Sequence, residues 1–154
     1  MKAAPGKRWP RARYWLNALV LIAPAWFLYA SLTPAFPVAW QTQAVGPFTV
    51  TPAPHDEAGP YLHDGVQVKD FGFRFCDGCV ARIRMAYANA GPEPVAVLDG
   101  EDGVVHGHGA LQEAHVSYPQ RPGPEDRLWL TVQEWNGTLH RVAWPLPGVS
   151  AAPD

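Results

Sequence analysis

Hydrophobic and polar positions divide this chain into two dissimilar parts. Residues 14–33 read YWLNALVLIAPAWFLYASLT, and no Asp, Glu, Lys, Arg or His stands between Tyr14 and Pro54. Helical residues rise about 1.5 Å each, so twenty of them reach the roughly 30 Å of a bilayer's hydrocarbon core. The pattern therefore predicts one transmembrane helix, residues 14–33, with Tyr14 and Trp15 at one interface and Trp40 marking the other. Pro24 is tolerable in such a helix. A cleaved signal peptide is the competing reading, with small residues before Phe36, but the apolar run is long for a signal and favours an uncleaved anchor.

Downstream the apolar period shortens to two. Residues 66–75, VQVKDFGFRF, alternate Phe71, Phe73 and Phe75 on one face. Residues 80–88, VARIRMAYA, set Ala81, Ile83, Met85 and Tyr87 against Val80, Arg82 and Arg84. Shorter runs at 47–51, 95–98, 104–108 and 113–118 are separated by Gly- and Pro-rich turns, and an acidic Gly-rich loop fills 99–103. About seven or eight short strands predict an all-β domain, an antiparallel Ig-like β-sandwich, following the single N-terminal transmembrane helix.

Two turns carry register information. Asn136-Gly137 separates RLWLTVQEW from TLHRVAW and suits a two-residue type I′ turn. That turn would place Trp129 opposite Trp144 and Gln133 opposite His140. Between residues 66–75 and 80–88 stands Cys76-Asp77-Gly78-Cys79. A two-residue loop there would put the Phe row on the face of two arginines. A three-residue loop, 76–78, instead pairs Phe75 with Cys79, Phe73 with Ala81 and Phe71 with Ile83, with Gly78 in a left-handed G1 bulge. The second arrangement is expected, with Cys79 at the rim of the core and Cys76 in the exposed turn.

Composition sharpens this division. Seventeen Pro and fourteen Gly argue against a helical bundle, and a 47% hydrophobic content argues against a disordered chain. Prolines at 34, 37, 47, 52, 54 and 60 predict an extended stalk over 34–60. The expected order is a basic cytoplasmic N-terminus (1–13), the span (14–33), the stalk (34–60), an exported β domain (61–147) and a disordered tail (148–154). Lys2, Lys7, Arg8, Arg11 and Arg13 precede the span, which orients the N-terminus toward the cytoplasm. Removing those five from twelve basic residues leaves seven against fourteen acids, a net −7 for the remainder. Such a domain repels phosphates, so no nucleic acid is expected as a partner. An Ala-, Pro- and Arg-rich, Lys-poor chain points to a bacterial inner membrane, single pass, with the C-terminal domain periplasmic.

The chemistry is confined to two sets of residues. Cys76 and Cys79 fit a disulfide in an oxidising compartment, or two thiolate donors to copper, zinc or iron. A thioredoxin-type catalyst needs its cysteine at a helix N-terminus, and this pair falls between strands. His106-Gly107-His108 would direct both imidazoles to one side of a strand, and with Cys76 and Cys79 they would complete a four-ligand tetrahedral set. Asp56, Glu57 and Asp64 near His55 and His63 form a second cluster, read as a solvated loop. No G-x-S-x-G, phosphate-cradling loop or H-E-x-x-H occurs. These readings predict a non-enzymatic, membrane-anchored binding or assembly module, engaged with the membrane and a membrane-protein partner. Copper or iron handling is its most specific version. Alternatives are a membrane-tethered thiol–disulfide protein and a scaffold subunit of a membrane complex.

Overall fold

The computed structural model describes residues 9–33, 37–95 and 103–147. Residues 1–8, 34–36, 96–102 and 148–154 lie outside that description. With them lie most of the expected 95–98 strand, most of the 99–103 acidic loop and the 148–154 tail. The chain forms two compact units, Met1–Phe36 and Pro37–Asp154.

The first unit contains one helix, α1 (Trp9–Leu32), which closes where Thr33 N–H and Oγ1 both donate to the Tyr29 carbonyl. Among the described residues, no helix is long and apolar enough to cross a membrane. Residues 14–32 of the expected span lie within this helix.

The second unit is antiparallel β. Among the described residues its strands are β1 (Gln43–Val45), β2 (Phe48–Pro54), β3 (Tyr61–His63), β4 (Val66–Phe75), β5 (Ile83–Gly91), β6 (Leu111–Ser117), β7 (Arg127–Glu134) and β8 (Leu139–Pro145). They form a five-stranded sheet, β1-β2-β4-β3 with β6 also on β4, and a three-stranded sheet, β5-β7-β8. β4 is long enough to pair with β2 through Phe71–Phe75 and with β3 through Val66–Val68, while β6 pairs along Val68–Arg74.

The two sheets bury one core between them. Phe71, Phe73 and Phe75 alternate inward from β4 as their spacing predicted, joined by Phe48, Val50 and Val116. The second sheet contributes Ala86, Ala88, Leu128, Leu130, Val132, Val142 and Trp144. Both borders are joined. At one, Gln43 Nε2 donates to the Ala143 carbonyl (3.1 Å) and Trp144 Nε1 to the Gln41 carbonyl (2.6 Å). At the other, residues 103–106 hydrogen-bond to both sheets. Gly103 N–H donates to His115 O and its carbonyl accepts from Ala88, while His106 and Glu113 exchange backbone bonds. The expected strand at 104–108 is therefore reduced to isolated bridges at Val104 and His106.

Three sequence expectations are corrected here. The folded unit starts well before Tyr61: the expected run at 47–51 does form a strand, but as the internal β2, and with β1 it occupies residues assigned to the stalk. Pro52 enters β2 opposite Phe73, where its missing N–H costs nothing to the ladder and its carbonyl accepts from Trp40 N–H (2.8 Å). Trp40 packs edge-on against Phe71 at 5.3 Å and is part of this domain's core boundary, not a membrane-interface residue.

The second correction concerns the Cys76–Cys79 turn, which joins the two sheets and does not close a hairpin. Both edges of β4 are already taken along Phe71–Arg74 by β2 and β6, so β5 has no edge there to pair with. Cys79 N–H donates to Cys76 O and Arg82 N–H to Cys79 O, and the resulting 3-10 turn, Val80–Arg82, swings the chain into the other sheet. Gly78 does take the expected left-handed φ of 72°. In β5 a bulge at Arg84 shifts register between Ile83 and Met85. One added residue inverts the alternation, so Ala86 and Ala88 face the core instead of Met85 and Tyr87.

The third correction is the β7–β8 register. Gly137 N–H donates to Glu134 O and Glu134 N–H to Thr138 O, with Gly137 at φ 89° and Asn136 outside the positive region. The connection is therefore a three-residue loop, 135–137, and not a two-residue type I′ turn. The pairing moves by one: Leu128 meets Trp144, Trp129 meets Ala143 and Val132 meets His140. This slip gathers Leu128, Leu130, Val132, Val142 and Trp144 on the buried face. The expected Trp129–Trp144 pair would have split them.

Candidate histidine site on the outer sheet face

Alternation along β4 and β6 sends their polar residues outward. Phe71 and Phe73 point into the core, so Asp70 and Gly72 point away from it. Ala114 and Val116 are buried, so Glu113 and His115 are exposed. The β4–β6 register sets Asp70 directly opposite His115, and His115 Nδ1 lies 2.6 Å from Asp70 Oδ1. Tyr61 OH, from the short β3, donates to both Asp70 oxygens at 3.0 Å. Its phenol is held above the usual 10.0, by burial first and then by the bond to the Asp70 carboxylate and the charges of Asp70 and Asp56.

Three further histidines approach the same place. The His63 ring stacks on His115 with centroids 5.4 Å apart, and His106 meets His115 edge-on at 6.2 Å. His106 Nδ1 bonds to the Glu113 carbonyl at 2.8 Å. His55 follows β2 and is anchored by its own N–H to Asp70 O (2.9 Å). A cavity of about 250 Å³ is lined by His55, Asp70, Phe71, His106, Glu113, Ala114 and His115. Four of the six histidines thus converge from segments up to sixty residues apart.

Those hydrogen bonds fix two tautomers. A carboxylate oxygen and a peptide carbonyl only accept, so the Nδ1 atoms of His115 and His106 must carry the protons. In the neutral rings each Nε2 is left with a free lone pair. A carboxylate or carbonyl holding Nδ1–H is the usual arrangement behind a histidine that ligates through Nε2.

The tetrahedral set expected from sequence does not assemble. Cys76 and Cys79 are joined in a disulfide, their Cα atoms 5.3 Å apart, so neither sulfur is a thiolate. Cys79 is buried at the core and Cys76 Sγ accepts the Thr49 N–H (3.3 Å). His106 is bridged to Glu113, which pairs with Gly72, four residues along β4 from Cys76. At about 3.4 Å per residue that separation is on the order of 14 Å along the strand direction alone. His108 does not follow His106 either, because Gly107 at φ 141° breaks the extended run and leaves His108 exposed in a bend. Gly107 permits a close approach of β6, since a Cβ there would lie 3.2 Å from the Gln112 Cα. Among the described residues, no group of three or more His, Cys, Asp or Glu already stands in position to hold a metal ion.

The second sequence cluster divides. His55 and His63 join the histidine face. The Asp56 carboxylate instead forms an ion pair with Lys69 Nζ (3.5 Å), which also donates to Asp56 O (3.3 Å) and Ala58 O and ties the 55–60 loop to β4. Asp64 stays exposed, 3.8 Å from His63 Nε2. Asp70, Tyr61 and His115 were not singled out from sequence. Strand parity alone marks Asp70 and His115 as outward residues, but only the β4–β6 register shows that they meet.

The architecture defines a small two-sheet β domain carrying a polar, histidine-rich outer face and preceded by a helix. Residues 8–147 match the family model described as uncharacterised conserved protein UCP029505, and the chain belongs to that family. No curated protein and no solved structure matches it.

Proposed function

We propose that this chain is a single-pass envelope protein. In this reading α1 anchors it in a bacterial inner membrane, and the Ig-like β-sandwich acts on the periplasmic side as a non-enzymatic binding module. One observation carries the anchor. Leu19, Val20, Leu21 and Ile22 are consecutive and all more than 60% exposed, as are Trp26, Phe27, Leu28, Tyr29 and Leu32. Four successive residues circle the helix, so its apolar surface has no single buried stripe, and a helix that is hydrophobic all round belongs in a core or a bilayer. The basic residues before and in its first turns, Lys2 to Arg13, and the charge-free run from Tyr14 onward support insertion with the N-terminus cytoplasmic. The Cys76–Cys79 disulfide supports export, since such bonds persist in oxidising compartments.

The binding surface in this reading is the histidine face of β4 and β6, not the cysteine pair. Cys79 is buried and Cys76 half-buried, so an attacking thiolate has limited access to this disulfide, which counts against the redox alternative. Assembly with a membrane-protein partner has one feature in its favour. An apolar cleft of about 190 Å³ lies between Trp40, Gln41, Gln43, Trp144, Pro145 and Pro147. The deciding experiment is a C-terminal alkaline phosphatase fusion combined with carbonate extraction. Phosphatase activity and retention in the membrane pellet are expected; an inactive fusion released with soluble proteins overturns the reading.

A further inference from the structure

We infer that the outer face of β4 and β6 is a binding site for one divalent transition-metal ion, with Nε2 of His106 and Nε2 of His115 as its first two ligands. The proposal deepens the binding-module reading by naming the ligand class.

The proton positions orient both rings. Asp70 Oδ1 holds the His115 Nδ1–H at 2.6 Å and the Glu113 carbonyl holds the His106 Nδ1–H at 2.8 Å. Both rings are therefore pinned through one nitrogen and present the other as a lone-pair donor. They line the same cavity, with centroids 6.2 Å apart. Imidazole nitrogen suits Cu(II) and Zn(II), and the carboxylates of Asp70 and Glu113 in the cavity wall favour a cation over an anion. A liquid water takes about 30 Å³, so the roughly 250 Å³ space accommodates an ion together with several waters.

Two oriented imidazoles make an incomplete shell. His55 lines the same cavity and is exposed, which makes it the candidate third ligand. Water fills the remaining positions. Asp70 acts as a positioning residue. It keeps His115 in the Nε2-donor tautomer and is itself held by Tyr61 OH.

The test titrates untagged full-length protein in detergent, disulfide intact, with Zn(II) and with Cu(II) by calorimetry, alongside electron paramagnetic resonance of the copper form. One equivalent and nitrogen hyperfine coupling from imidazole are expected. His106→Ala and His115→Ala should each weaken binding at least tenfold. Asp70→Asn should weaken it about tenfold, the lower end for an outer-shell partner. His108→Ala and the Cys76→Ser/Cys79→Ser pair should leave affinity unchanged. Undiminished binding by the His106→Ala/His115→Ala double variant overturns the site, as does loss of binding in the cysteine variant. Copper spectra of the unsubstituted protein without nitrogen coupling overturn it too, and do so even where a variant fails to fold. A negative result here leaves the membrane-extraction outcome untouched, so the two proposals fail separately.

Discussion

Leu128 stands directly opposite Trp144 across the β7–β8 pair, and both side chains are fully buried. The indole also holds the segment that leads into β1, through its Nε1–H on the Gln41 carbonyl. Trp144→Ala should therefore remove both core volume and that bond, costing about 3–5 kcal/mol. Trp144→Phe keeps much of the volume and should cost less. Urea midpoints of the two variants measure the difference, and equal losses would mean the volume is not what matters.

Gly103 fastens the 103–106 segment between the two sheets. Its φ is 86°, and a Cβ there would stand 2.4 Å from the Ala88 carbonyl and 2.7 Å from the Tyr87 ring. Gly103→Ala should destabilise by about 2 kcal/mol or more, through both the left-handed backbone and the clash. Gly137→Ala meets nothing within 4 Å and should cost only the backbone part. Thermal unfolding of the pair separates the two contributions.

The Cys76–Cys79 bond closes a very short loop, and loop-closure entropy grows with loop length. Its reduction, or a Cys76→Ser/Cys79→Ser replacement, should cost about 2 kcal/mol and leave far-ultraviolet circular dichroism nearly unchanged. Loss of the β signal on reduction would show that the corner between sheets depends on the bond.

Alkaline pH should weaken the domain through Tyr118. Its phenol is raised above 10.0, by burial first and then by the charge of Asp126, while its ring stacks on Phe71. Above pH 10 the unfolded chain releases this proton before the folded one does. The contribution is complete below the unfolded value and declines as pH rises through the folded one. Denaturant midpoints between about pH 8 and about pH 11 should fall, and Tyr118→Phe should flatten part of that decline.

The sequence by itself determined the things that depend on local alternation and length. β4 occupies residues 66–75 as its pattern foretold, the three phenylalanines point inward together, and the chain divides into a helical head and an all-β body. Tertiary structure decided every question of pairing. A three-residue loop was expected at Cys76–Gly78 and a two-residue turn at Asn136-Gly137. The three-residue form is found at the second place, and the first is a passage between sheets. Local turn chemistry permits both forms, and the choice falls to which register buries Leu128, Val142 and Trp144 together and to which edges of β4 are already occupied. The histidine face follows the same logic. Spacing along the chain can place His106 beside His108. Only the fold brings Asp70 against His115 and His106 beside them, because hydrogen-bonded strands make neighbours of residues that the sequence keeps far apart.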